Sequence, residues 1–406
     1  MAKHARHLRS SLQAPDSPTL RHLPDYSPDL AIALNRAYRS IQRGEQDPDE
    51  YWKAFITLHP FRKEHVCAGQ RLHLEYALAL IYAGEGDWQL ALACLDNAWE
   101  LSVHLHDWAA QVELGYLAGS LLQMQAYYSE AYELYATALE SLRSLECGNG
   151  PIDPIFELDL VLRLAWGAWE LGLFPTSLRH LDDAYRLRAQ WAPDAADEAA
   201  SLAWLDAQLS RVRGHPMRAL QQSSAAANLL LTHGKPVNAG RCHIILAECA
   251  FDVVELAHGT GSPHSFIDRF GAEKNMHLPT HLDPLSFGRA SAERGLAFAQ
   301  AAEDHVGVAM ARLAIVRSIR LGARTGRTIA GVAGAEAVIR TARHLGDISL
   351  LGRAQTALGD ELAAMGRTDS ARLTYYRAVC LLDEHQLGGL GFWPRHALLR
   401  TSEDDE

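Results

Sequence analysis

The chain has 406 residues, 48% of them hydrophobic and 21% charged, which is ample for a core and too apolar for a disordered polymer. Forty-nine acidic residues against 38 basic ones leave a formal net charge of -11, arguing against a general binder of nucleic acid or anionic membrane.

In chain order, residues 1–24 carry Pro15, Pro18 and Pro24 among polar residues and lack the apolar core of a secretory signal, so they read as a solvated tail. Order is predicted to begin at Ser27, an N-cap followed by Pro28. Asp47, Pro48, Asp49 and Glu50 form a capping box for a second helix through Trp52 and Phe55. This pair, within 25–61, suits an N-terminal cap on a repeat array occupying 62–387.

The array is found through small residues seven apart on the second helix of each pair, where neighbouring helices cross closely. Ala91, Leu95 and Ala98 form the first set, followed by Ala131, Tyr135 and Ala138, with Gly119 upstream. Ser177, Leu181 and Ala184 follow the turn at Gly172, and Ala219, Ser223 and Ala226 follow Gly214. Ala335, Ile339 and Ala342 come later, and Ala371, Tyr375 and Ala378 close the series, with Gly359 and Gly366 on and after the preceding helix. The sets recur about every forty residues, against 34 in the standard repeat, and the extra length is expected in linkers such as 105–107 and 345–347. One pair is interrupted. A helix from near Val237 to His258 pairs with one from Pro284 to Ala301, and between them lies a loop rich in glycine, proline and histidine. After Leu387 the glycines and Pro394 are expected to end the helical pattern, with Phe392 and Trp393 folding back on the last helix before an acidic tail.

Chemistry is sparse. The six cysteines (Cys67, Cys94, Cys147, Cys242, Cys249 and Cys380) have no metal or redox spacing and read as small buried hydrophobes in a reducing compartment. No uninterrupted apolar span exists, since Glu248, Asp252 and Glu255 break the best candidate; a soluble, cytoplasmic chain is expected. No phosphate-binding loop, zinc helix, nucleophile elbow or kinase motif is present, so neither catalysis nor a cofactor is expected. The loop residues His258, His264, Asp268, His277, His281 and Asp283 offer metal-ligand chemistry without a recognised spacing. A stripe of Arg312, Arg317, Arg320, Arg324, Arg327, Arg340 and Arg343 offers a phosphate-backbone contact, but without aromatic stacking residues beside it.

Residues 350–387, with their two short helices and the Ala371, Tyr375, Ala378 face, resemble a tetratricopeptide repeat, and the earlier sets resemble diverged copies. With phrases such as AQAAEDHVGVA and RTARHLGDISL between repeats, residues 62–387 resemble the sensor regions of bacterial LuxR-type ATP-dependent activators and of peptide-responsive quorum-sensing regulators. The ATPase and helix-turn-helix of those activators have no counterpart here. The resemblance implies an all-α, right-handed solenoid of about seven antiparallel helix pairs with end caps. It also implies that the first helix of each pair lines a concave groove.

Carried across position by position, the resemblance places His73 and Tyr76 in that groove, then Glu113, Tyr116, Ser120 and Gln123. Asp159, Trp166 and Trp169 follow, then Trp204, Gln208 and Arg211, then His243. Arg317, Arg320 and Arg353 complete it. Tyr76, Tyr116, Gln123, Trp166, Trp169, Trp204, Gln208, Arg211, Arg317, Arg320 and Arg353 are therefore the candidate ligand residues. Aromatic and arginine side chains are the usual anchors of binding surfaces, and Arg317 with Arg320 suits a carboxylate or phosphate. The alternative is that the tryptophans pack between helices and the arginines pair with the chain's own acids. The expected function is non-catalytic binding of a peptide or protein partner by an adaptor or sensor. A self-associating scaffold, with a possible homo-oligomer, is the second reading.

Overall fold

The computed structural model describes residues 20–44, 47, 49–146, 154–194, 196–258, 283–322 and 329–403. The expectations for residues 1–19 of the N-terminal tail, the long loop with His264, Asp268, His277 and His281, Arg324, Arg327, Cys147 and residues 404–406 lie outside these residues, while the end of the expected tail forms a short 3-10 turn at Leu20–His22 with Leu20 buried. Seventeen α-helices are present among the described residues. Helices α1 (Pro28–Arg43) and α2 (Asp49–Leu58) precede seven pairs. These are α3 (Ala68–Glu85) with α4 (Trp88–His104), α5 (Trp108–Met124) with α6 (Tyr128–Glu146), and α7 (Pro154–Glu170) with α8 (Phe174–Trp191). Next come α9 (Ala196–Val212) with α10 (Pro216–Thr232), and α11 (Pro236–His258) with α12 (Pro284–Ala301). The last are α13 (His305–Gly322) with α14 (Ile329–Leu345), and α15 (Ile348–Ala364) with α16 (Thr368–Glu384), before α17 (Gly388–Glu403). The fold is an all-α solenoid of the tetratricopeptide kind. It divides into two units, Met1–Arg163 and Leu164–Glu406.

One turn is used over and over. After α3 the Gly86 backbone enters the left-handed region at φ 82°, and the Asp87 amide donates back to the Tyr82 carbonyl at 2.9 Å. This is a Schellman closure, which satisfies carbonyls left open at a helix end. The Asp87 side chain then caps α4, accepting from the Leu90 amide at 3.2 Å. The same closure recurs at Asp107 onto Ser102, Tyr127 onto Leu122, His215 onto Ser210, Lys235 onto Leu230, Asp347 onto Ala342, Arg367 onto Leu362 and Leu387 onto Leu382. The step between successive closures within each run is therefore twenty residues. A pair spans forty because its helices are long, typically 17 residues, and not because linkers intervene. Residues 105–107 and 345–347, expected as linkers, are these same tight turns.

The small-residue sets sit where close crossing demands them. Ala91, Ala98, Ala138, Ser177, Ala184, Ala219, Ala226, Ala335, Ala371 and Ala378 are all fully excluded from solvent. In two sets the bulky member fills the gap over a glycine, Tyr135 over Gly119 and Tyr375 over Gly359. A Cβ at Gly119 would lie 2.8 Å from the Tyr135 ring. In the first unit Ser27 caps α1 through the Leu30 amide at 3.2 Å, and Gln70 of α3 bonds both backbone groups of Ser27. The second cap is simpler than a capping box: Asp47 accepts from the Asp49 amide, while Glu50 turns to Lys53.

Two expectations are corrected. Residues 388–403 do not end the helical pattern but form α17, with Pro394 inside it. Its opening glycines serve close approach: side chains at Gly388 and Gly389 would collide with the carbonyls of Leu171 and Trp169. Phe392 and Trp393 accordingly reach beyond the last pair, Phe392 meeting Phe174 edge-on with ring centroids 5.9 Å apart. Cys67, Cys94, Cys242 and Cys249 are buried as expected, but Cys380 is exposed.

Candidate binding sites on the inner helices

The first unit brings Tyr116 and Gln123 of α5 into a polar cluster with α6 and α7. The Tyr116 hydroxyl donates to Asp159 and receives from Arg163 at 3.0 Å. Tyr135 of α6 reaches Ser120 and Gln123, each at 3.1 Å. Burial raises the Tyr116 hydroxyl well above its ordinary value, with Arg163 opposing and Asp159 adding to the rise. The phenol therefore stays protonated and serves as a fixed donor. Tyr76 is in the core of this unit at 2% exposure, beside buried His73 and Glu113.

The second unit gathers the remaining candidates. Trp166 meets Trp169 and Trp204 edge-on, with centroids 6.0 and 5.7 Å apart. Trp169 and Gln208 are buried, so this aromatic group is packed between helices. His243 is buried against Phe298, their rings stacked at 5.9 Å.

Beside this group lies a cavity of about 250 Å³. Its walls come from α9, α11, α13 and α15, the first helices of four successive pairs, and from α17, which closes it. Arg211, Arg317, Arg320 and Arg353 all line it, as do Glu248, Asp252 and Glu255 of α11. Those three acids recur at spacings of four and three residues, which puts them on one helical stripe. Arg211 holds Asp252 through both carboxylate oxygens at 2.6 and 3.3 Å and stacks on Trp393, 4.7 Å from the ring centre. Arg317 reaches Glu248 at 2.5 Å, Asp252 at 2.7 Å and Glu255 at 2.9 Å. Arg320 bonds Glu255 at 3.1 Å and lies 3.3 Å from Glu361 and 3.9 Å from Asp360. Burial pushes the Glu255 carboxyl up, but Arg317 and Arg320 together outweigh it and hold the group at about 2.

The arginine pair singled out by its spacing is thus engaged by the chain's own acids. Turned inward, Arg317 and Arg320 also leave the basic stripe, of which Arg312, Arg340 and Arg343 remain exposed. Arg353 differs. It makes no hydrogen bond or ion pair with a described residue, and neither does Arg400 of α17, whose buried Nε lacks a partner. Arg400 escaped notice because its segment reads as non-helical. The three acids of α11 were legible only as interruptions of an apolar run, although their spacing already matches a stripe facing arginines. Among the described residues no group of His, Cys, Asp and Glu is placed to hold a metal, and no helix is long and apolar enough to cross a membrane.

No protein-family model matches the sequence, and no curated protein does. Solved structures do. The apo form of the quorum sensor NprR from B. thuringiensis aligns with a TM-score of 0.60 at 14% identity, over 94% of this chain and 98% of that one. A Rap protein complexed with Competence and Sporulation Factor gives 0.57 at 11% identity, over 93% and 99%. NprR in complex with its cognate peptide NprX gives 0.52 at 13%, over 94% and 99%. The chain shares their fold.

Proposed function

We propose that the protein is a non-catalytic sensor or adaptor that binds a peptide or protein tail on the inner helices of its second unit. The observation that carries this is the cavity itself. Four successive pairs each contribute one helix to it, and its charged walls are fixed by ion pairs before any ligand arrives. Pre-ordered side chains of this sort lower the entropic cost of binding. Its volume of about 250 Å³ falls just below the roughly 300–1,000 Å³ of small-ligand sites, so it admits side chains of an extended segment whose backbone stays outside. The structures of the same fold with Competence and Sporulation Factor and with NprX are in keeping with a peptide ligand.

The test is to fill the cavity without touching its charges. Thr356 of α15 lines it and is half-buried, and Thr356→Trp puts an indole inside. Peptides retained from cell extract by the wild-type chain and identified by mass spectrometry are expected to be lost by this variant at unchanged helicity. Equal retention by both would move recognition elsewhere.

Self-association is a second reading, favoured by one observation. Leu373 and Tyr376 of α16 are 51% and 60% exposed and share a stripe with exposed Cys380. Light scattering decides it: a dimer converted to monomer by Tyr376→Glu supports a scaffold role, and a wild-type monomer ends it.

A further inference from the structure

The cavity carries its own statement about ligand charge. Glu248, Asp252 and Glu255 each accept from guanidinium groups already, so an entering cation would have to displace an arginine. Asp360 accepts from the Tyr375 hydroxyl at 2.7 Å. An entering anion meets no such competition, because Arg353 and Arg400 face the cavity unpaired. An unpaired guanidinium inside a protein is an unfavourable arrangement that a carboxylate relieves through charge-assisted, two-point hydrogen bonds.

The two cations come from different walls of the cavity, Arg353 from α15 and Arg400 from α17.

We propose that the ligand is a short acidic peptide with two carboxylates, one pairing with Arg353 and the other with Arg400. This rests on the inner helices of the second unit being the recognition surface. Burial supports it at the Arg353 end. It pushes the neighbouring Glu170 carboxyl up to about 7, which leaves that acid incompletely charged at neutral pH.

Three pools of fluorescent hexapeptides test this on the full chain. The first has one Glu at a varied position before a free C-terminus, the second has Gln there and an amidated end, and the third has Lys there and an amidated end. Glutarate, a small dicarboxylate, is scored in parallel by thermal shift. The first pool is expected to bind at least ten-fold more tightly than the others, and Arg353→Gln and Arg400→Gln are each expected to remove most of that preference. Removing an unpaired charge leaves no acid stranded, so both variants should fold. Equal binding of all pools, or a preference surviving both substitutions, overturns the acidic ligand while leaving peptide binding intact. Stabilisation by glutarate in wild type alone, with no peptide bound, keeps the anion site and removes the peptide reading. No binding and no stabilisation removes both.

Discussion

Two arginines that line one cavity should behave oppositely when neutralised. Arg317 has three carboxylate partners and its side chain is 15% exposed. Arg317→Met leaves three acids to share Arg211 and Arg320, and loss of one member of such a buried network costs about 3 kcal/mol or more. Arg353→Met strands nothing, and is expected to leave stability unchanged or raise it. Urea denaturation of the two variants makes the comparison directly. The pH response separates the acids in the same way. Glu170 has a folded-state value of about 7 against an ordinary 4.5, so its contribution to stability is complete below about 4.5 and is lost as pH rises through 7. Glu170→Gln should therefore flatten the fall in melting temperature between pH 5 and pH 8. Glu255, held near 2, contributes fully above its ordinary value of 4.5 and loses that contribution as pH falls toward 2.

At the scale of elements, the turns offer the cleanest tests. His106, Ala126, Glu303 and Gln386 adopt positive φ between 53° and 63° without being glycine. The left-handed region costs an L-residue about 1 kcal/mol, so Ala126→Gly should stabilise by roughly that amount, less the glycine's greater unfolded-state entropy. Gly346 is the mirror case: its φ is 67° and a Cβ there meets nothing within 4 Å. Gly346→Ala should therefore destabilise through backbone strain alone, by about 1 kcal/mol in chemical denaturation. Helix α17 depends on a different glycine property. Gly389→Ala drives a methyl into the Trp169 carbonyl, and amide exchange across 388–403 should accelerate while the rest of the second unit stays protected.

For the whole chain, the fold was legible because its requirements are local and repeated. Ala371, Tyr375 and Ala378, or Ser177, Leu181 and Ala184, can be recognised from their own helix, since close crossing admits only small residues at fixed positions. The candidate site was legible by type and not by pairing. Arg211, Arg317, Arg320 and Arg353 do line one cavity, but which of them meets an acid depends on α11 standing between α9 and α13. Glycine misled for a related reason. At Gly366 it ends a helix, while at Gly389 it begins one, and only contact with distant Trp169 tells the two apart. Trp166 and Trp204 pack on one another, an outcome that spacing left open.

The twenty-residue step has a consequence for how such a chain can change length. Each step is one helix and one turn, and from α9 to α17 the odd-numbered helices supply the cavity's charged walls while those between them face away. Parity is therefore conserved only by even numbers of steps. Inserting a single step between α10 and α11 would exchange the roles of every helix beyond it, turning Arg353, and Arg317 with its acids, outward together. Inserting two would add one pair and leave all later faces in register. The chain behaves as a two-letter frame, in which a forty-residue duplication is silent to the surface and a twenty-residue one is a frameshift.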